Sequence, residues 1–338
     1  MRVVIFTEGG GTYGFGHLTR CQALYQALAE QGVDVTMIMR GEPEAVYLLR
    51  GCRAACFDWL LDEKRLRKSL HGVDCAVVDS YHAERTCYER IAAAVRRLVC
   101  LDDTQRIPYP ESATILNGGI SASPAMYPGH RGDVLTGAAY ALLRRVFWDV
   151  VPAQPRELVR TALVTMGGTD VRGLTDAIIG SLLRTIPESA TIHVIGGVRD
   201  GIRSTANQGF IRHEQVSEPE LLALMSSVDI AVCAGGQTLY ELARLGVPAV
   251  AVRVADNQHA NVSGFAAAGC IKDAGRWDDP DIPATVAALV HETLPWEMRC
   301  SMHRVGTTLI DGQGARRTSA CIIQKLNAHY ADFTVHTH

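Results

Sequence analysis

Asp229-Ile-Ala-Val-Cys-Ala-Gly-Gly-Gln-Thr-Leu-Tyr-Glu241 joins a short apolar run to a glycine pair and then to a helical pattern. A run this short and this continuous suits a strand buried on both faces, and the glycine pair lets the chain turn tightly into a helix. The same rhythm extends in both directions. Upstream, Arg2–Thr7, Val33–Met39, Arg53–Phe57, Cys75–Asp79 and Leu98–Leu101 are strand-like, with amphipathic stretches such as Leu18–Gln31 and Glu84–Arg96 between them. Thr161–Met166, Thr191–Ile195 and Ala249–Val254 carry the pattern around the quoted segment. Strands that alternate with helices predict parallel sheets with helical crossovers, the doubly wound α/β class of Rossmann-like domains.

The rhythm breaks once. Pro108, Pro110, Pro124, Pro128, Pro152 and Pro155 fall between Leu101 and about residue 160, and Val151-Pro-Ala-Gln-Pro-Arg156 reads as a linker. We therefore expect one Rossmann-like domain over residues 1–155, a second over 156–330, and a tail over 331–338. The last helical pattern, Ala315–Ala328, could pack on either half. The tail Val335-His-Thr-His338 reads as disordered, with its histidines incidental.

At 338 residues, 47% hydrophobic and 20% charged, the chain can bury two ordinary cores. Its net charge of −3 and its lack of a basic cluster interleaved with aromatics argue against a nucleic-acid surface. No apolar run approaches the ~18 residues that span a bilayer, and Met1–Thr7 is not a signal peptide but a first strand. A cytoplasmic protein without stable membrane insertion is expected; oligomeric state is not legible. The 10 cysteines are scattered without a C-x-x-C pair and read as small buried hydrophobes rather than metal ligands.

Four strand ends carry unusual chemistry. Glu8-Gly-Gly-Gly-Thr-Tyr-Gly-Phe-Gly-His17 has five glycines, so its backbone can approach a ligand closely. It lacks a P-loop lysine, and Gly14-x-Gly16 is only a fragment of a dinucleotide fingerprint. Met166-Gly-Gly-Thr-Asp170 follows the first strand of the second half, and Gly235-Gly236 opens a helix; two glycine-rich helix starts at strand carboxyl ends suggest a diphosphate held by backbone N–H groups. Glu241, one or two turns on, could accept both hydroxyls of a ribose or merely complement the helix dipole. Asp256-Asn-Gln258 could cap a helix or read sugar hydroxyls. Asp102-Asp103 reads as a turn or cap, with a metal clamp as the alternative.

In chain order, Gly14-x-Gly-His-x-x-Arg20, Asp79-x-Tyr81, Ile115-Leu-Asn117, Tyr140-Ala-Leu-Leu-Arg144, Gly167-Gly-Thr-Asp170, Gly235-Gly-x-Thr-x-x-Glu241 and Asp256-Asn-Gln258 form a set. From residue 1 to about 325 the set resembles the nucleotide-sugar hydrolases of the pseudaminic acid pathway, which release UDP from UDP-2,4-diacetamido-2,4,6-trideoxy-β-L-altropyranose, and the related spore coat polysaccharide biosynthesis proteins. The C-terminal motifs are also similar to the transferase that adds N-acetylglucosamine to lipid-linked peptidoglycan precursors. The resemblance implies a glycosyltransferase-B (GT-B) architecture that binds a UDP-sugar, and a reaction without cofactor or metal in which water displaces UDP from the anomeric carbon with inversion. It implies His17 as general base, with Asn257 and Tyr81 orienting sugar or water. Gly235, Gly236, Gln237 and Thr238 would hold the diphosphate and Glu241 the ribose. Gly14, Gly16, Arg20, Asp79, Asn117, Gly167, Gly168, Thr169 and Gln258 complete the expected substrate site. The chain departs from the hydrolase pattern in its longer first loop, in Gly118-Gly-Ile120 after Asn117, and in Gln237 where serine is common.

A sugar that already carries a diphosphate has a good leaving group, so what remains is to stabilise the departing charge and activate water. A histidine that ends a glycine loop and begins a helix is suited to the second task. Arg20 could pair with phosphate or with a carboxylate. Two other functions stay open: a GT-B glycosyltransferase with another acceptor, and a non-catalytic nucleotide-sugar binder. The basic amphipathic stretch Leu60–Leu70 keeps a lipid acceptor in view.

Overall fold

The computed structural model describes residues 1–10, 14–42, 45, 49, 51–167, 170–196, 209–214 and 216–335, without side chains beyond 328. The chain forms two compact units, Met1–Arg145 with Gly312–His338, and Val146–Asp311.

The first unit begins with β1 (Arg2–Gly9), α1 (Gly16–Glu30), β2 (Asp34–Gly41), β3 (Ala54–Cys56) and α2 (Glu63–Leu70). It continues with β4 (Cys75–Val78), α3 (Arg85–Ala94), β5 (Arg97–Leu101), β6 (Thr114–Asn117) and β7 (Val134–Thr136). The strands pair in parallel in the order β3-β2-β1-β4-β5-β6-β7. Ile5 lies between Met37 and Val77, and Val78 faces Cys100. Strands β1 and β4 are buried almost throughout, as their continuous apolar runs require. Trp59 is fully buried beside Phe6, and its indole N–H donates to Thr7 O at 3.0 Å, so the one polar atom of that ring is satisfied.

The second unit contains β8 (Thr161–Thr165), α4 (Thr175–Leu182), β9 (Thr191–Ile195), β10 (Phe210–His213), α5 (Glu218–Ser227) and β11 (Ile230–Ala234). After them come α6 (Gln237–Leu245), β12 (Ala249–Arg253), α7 (His259–Ala268), β13 (Ile271–Arg276), α8 (Ile282–Thr293) and α9 (Trp296–Leu309). Its sheet is also parallel, in the order β10-β9-β8-β11-β12-β13. In each unit the strand order reverses beside the first strand, between β1 and β4 and between β8 and β11. Open α/β sheets bind ligands outside the carboxyl ends of the strands at such a reversal.

Two boundaries differ from those expected. The second unit starts at Val146 rather than 156, because buried Arg244 of α6 holds the carbonyls of Phe147 (3.0 Å), Trp148 (3.0 Å) and Val150 (2.6 Å). The final helix α10 (Gly314–Val335) belongs to the first unit. Ala315, Thr318, Ser319, Ile322 and Leu326 form its buried stripe at helical spacing. Ser319 donates to Ala27 O at 3.2 Å and Arg316 grips Glu30 through two 2.9 Å bonds, both on α1. The tail expected from residue 331 is helical as far as Val335; residues 336–338 lie outside the described residues. Among the described residues no helix is long and apolar enough to cross a membrane.

Candidate active site

In the first unit the carboxyl edge of the sheet gathers a dense polar network at the reversal of strand order. His17 stands in the first turn of α1, after the loop that leaves β1. Gly10 and Gly14 exchange backbone bonds (N to O distances of 3.2 and 2.7 Å) and close that loop, while Gly16 opens the helix. Residues 11–13 lie outside the described residues. Asp79 directly follows β4, the neighbour of β1, and its Oδ1 accepts from His17 Nδ1 at 2.7 Å across 62 residues of sequence.

Arg20, one turn after His17, donates to both Asp79 oxygens, Nε to Oδ2 at 2.6 Å and Nη2 to Oδ1 at 2.5 Å. Its Nη1 donates to Asp103 Oδ2 at 2.8 Å. The sequence left Arg20 between phosphate and carboxylate; the carboxylates hold it. Asp79 is buried and also takes the Cys21 thiol at 3.4 Å, so both of its oxygens are occupied and it presents no face to a ligand. Burial alone would raise its pKa, yet the Arg20 guanidinium and His17 outweigh burial and hold the carboxyl well below the usual carboxylate range. Burial would likewise lower Arg20, but Asp79 and Asp103 keep it above its ordinary value. Arg20 Nη2 also lies 3.1 Å from His17 Nδ1. The Asp79 carboxylate can only accept, so Nδ1 carries its proton toward Asp79; Arg20 Nη2, itself a donor, then makes no hydrogen bond to that nitrogen, and in the neutral imidazole Nε2 is the acceptor.

Tyr81 lies edge-on to the His17 ring, with centroids 4.4 Å apart and planes at 83°. Its hydroxyl donates to Asp103 Oδ2 at 2.7 Å. Glu8, at the end of β1 and nearly unexposed, accepts from Ser80 Oγ (2.5 Å), Tyr81 N (3.2 Å) and His82 Nδ1 (2.8 Å), pinning the turn that carries Asp79 and Tyr81. Asn117, expected on the sugar, is buried: Nδ2 donates to the Tyr127 hydroxyl at 2.8 Å and Oδ1 accepts from Gly119 N at 3.0 Å. The Tyr127 hydroxyl in turn donates to Asp102 Oδ2 at 2.8 Å. Gly118 is required because a Cβ there would sit 2.6 Å from Tyr140 O. Asp102 is the turn residue expected, accepting from Thr104 N and Gln105 N at 3.1 and 2.9 Å.

In the second unit Gly235-Gly236 links β11 to α6, with Gly236 at the N-cap. A Cβ on Gly235 would fall 2.3 Å from Val262 Cγ2, so Gly235 is selected by close packing. The Gly235 N–H does not remain for a phosphate: it donates to Val252 O at 3.1 Å and Gln258 Oε1 at 3.2 Å. Gln258 Oε1 also accepts from Val254 N at 2.9 Å, so its oxygen ties the ends of β11 and β12 together instead of reading a hydroxyl. Asn257 is exposed in the turn before α7; Gln237 and Thr238 form the first turn of α6, and Glu241 is buried on the same helix.

The Gly167 loop differs from the expected helix start. Gly167 follows β8 with φ of 90°, but α4 begins only at Thr175, and Asp170 already occupies its N-terminus by accepting from Leu174 N (3.1 Å) and Thr175 N (2.9 Å). A carboxylate capping those donors leaves them closed to an anion. Gly168 and Thr169 lie outside the described residues.

Sequence reasoning missed Glu8, Ser80, His82 and Tyr127, and gave Asp103 no link to His17. Glu8 did leave a signal, since it ends an apolar strand just before the glycines. Among the described residues no group of three or more His, Cys, Asp or Glu side chains could hold a metal ion.

Two Rossmann-like units in one chain make this a GT-B protein, and the solved structure of MurG from Acinetobacter baumannii matches it with a TM-score of 0.67 at 14% identity, covering 96% of this chain and 100% of that one. No family model matches the chain. In sequence it is similar to the spore coat polysaccharide biosynthesis protein SpsG of Bacillus subtilis (strain 168), 23% identical over 347 positions that cover 96% of this chain and 98% of that protein. It is also 22% identical over 277 positions to the pseudaminic acid cytidylyltransferase and UDP-2,4-diacetamido-2,4,6-trideoxy-beta-L-altropyranose hydrolase of Helicobacter pylori (strain ATCC 700392 / 26695). That match covers 80% of this chain and 48% of the relative, so the chain spans about half of that protein.

Proposed function

We propose that the protein is a UDP-sugar hydrolase of surface polysaccharide or nonulosonic acid biosynthesis, acting on a UDP-linked diacetamido-trideoxy sugar. The observation that carries the reading is the His17–Asp79 pair at the reversal of strand order: a carboxylate fixes the Nδ1 proton and leaves Nε2 as a base. A nucleotide-sugar binder has no use for an oriented base. The similarity to a protein named in part for this hydrolysis supports the choice of substrate class.

In the proposed reaction His17 Nε2 takes a proton from water as the water oxygen bonds to the anomeric carbon. The bond from that carbon to the diphosphate oxygen breaks with inversion, and its electron pair leaves on UDP. Gly236, Gln237 and Thr238 at the start of α6 are assigned to the diphosphate, because the N–H groups and positive dipole end of a helix N-terminus stabilise a departing charge without a metal ion. Glu241 takes the ribose hydroxyls. Gly235 and Gln258 shape the diphosphate loop, while Arg20, Asp79 and Asn117 act from behind the site. Asn257 and Tyr81 orient the sugar or the water.

The test is hydrolysis of UDP-2,4-diacetamido-2,4,6-trideoxy-β-L-altropyranose in ¹⁸O-labelled water, without acceptor and with EDTA. Label is expected in the sugar's anomeric hydroxyl and not in UDP, at a rate that EDTA does not change. Label in UDP, or complete inhibition by EDTA that Mg²⁺ reverses, refutes the mechanism. UDP release only on addition of an acceptor makes the protein a transferase.

A further inference from the structure

Asp103 of the network is given no part in that reaction. Asp103 follows β5, two strands from β1, and its Oδ2 accepts from Arg20 Nη1 at 2.8 Å and from the Tyr81 hydroxyl at 2.7 Å. Those two donors belong to side chains that touch the His17 ring, Arg20 at 3.1 Å from Nδ1 and Tyr81 edge-on at 4.4 Å. Its other oxygen, Oδ1, is buried and has no hydrogen-bond partner among the described residues. Leaving a buried acceptor so is costly, and the arrangement is explained by what Oδ2 holds.

We propose that Asp103 is a positioning residue for the hydrolysis, a single oxygen that tethers Tyr81 and Arg20 together and so fixes the orientation of the His17 imidazole. The proposal rests on His17 being the base. Removing the tether takes the Asp103 acceptor away from the Tyr81 hydroxyl and from one arm of Arg20, while Arg20 Nε and Nη2 stay on Asp79 and the His17–Asp79 bond remains. The ring is then held on one side only, and the geometry needed for proton transfer is sampled less often. Turnover should suffer and UDP affinity should not.

The unpartnered oxygen gives the test its contrast. In Asp103→Asn the remaining oxygen can take the Oδ2 place and the amide the Oδ1 place, where it meets no displaced donor. Asp103→Ala loses both tethers. With UDP-2,4-diacetamido-2,4,6-trideoxy-β-L-altropyranose as substrate, Asp103→Ala should lower kcat about 30–100-fold, with the Kd for UDP within about twofold of the parent. Asp103→Asn should stay within about fivefold in kcat. Tyr81→Phe removes only the tethered hydroxyl, and its loss, about 5–20-fold, should add little to that of Asp103→Ala in the double variant. Asp103→Ala with kcat within about threefold of the parent, or Asp103→Asn as slow as Asp103→Ala at the parent's Tm, overturns the proposal. Should Asp103→Ala not fold, an additive Tyr81→Phe/Asp103→Asn double in which both single losses exceed about fivefold overturns it, and a Tyr81→Phe loss with near-parent Asp103→Asn supports it. A parent inactive on this substrate removes the reading beneath the proposal, and the proposal with it.

Discussion

Asp79→Asn is the perturbation that separates an oriented base from a histidine merely near a carboxylate. Asp79 accepts four bonds: Oδ1 from His17 Nδ1 and Arg20 Nη2, Oδ2 from Arg20 Nε and the Cys21 thiol. An asparagine can offer one oxygen, and in either orientation its amide meets donors, the opposite of position 103. The charge that balances Arg20 from this side also disappears. Breaking a buried ion pair costs about 3–5 kcal/mol. Arg20 is 19% exposed and keeps Asp103, so we expect the low end, about 3 kcal/mol. For a unit of this size that is a fall in Tm of about 6–12 °C. Because the Asp79 carboxyl titrates below the usual range when folded, its stabilisation is complete above the unfolded carboxylate pKa of about 3.9 and is lost as pH falls beneath it. The variant should lack that part of the acid dependence. With the Nδ1 proton released, the imidazole can carry its hydrogen on Nε2, and kcat should fall about 10²–10⁴-fold. Calorimetry from pH 3 to 8 and UDP release under saturating substrate measure both effects. A variant that melts within about 2 °C of the parent and turns over within about threefold refutes the assignment of Asp79 as the residue that orients the base.

Two further outcomes follow from the same geometry. His17→Gln should lower kcat about 10²–10⁴-fold while the Kd for UDP, measured by titration calorimetry, moves by no more than a few fold; near-normal kcat takes the histidine out of the reaction. Glu241→Ala should weaken UDP by about 1.5–3 kcal/mol and bring UDP and 2′-deoxy-UDP to a common affinity, and an unchanged preference for the ribonucleotide returns Glu241 to a structural role in α6.

The sequence by itself determined the local units: apolar runs buried on both faces, glycines where strand turns to helix, and His17 at the start of α1. Each depends on residues within a few positions of one another, so propensity and periodicity specify it. The partners of His17 were decided by tertiary structure. Asp79 lies 62 residues away and reaches Nδ1 because β4 pairs with β1, Phe6 beside Val78. Asp103 reaches Arg20, 83 residues away, because β5 pairs with β4. Strand order depends on crossovers and core packing, and no local spacing encodes it. The same holds for Asp170, whose turn caps α4 where the glycines promised an open helix end, and for Gln258, whose oxygen ties two strands. The stripe of α10 could be read, but not its berth: an apolar helical face specifies that it must be covered, and only the packing of Ser319 and Arg316 on α1 settles by what.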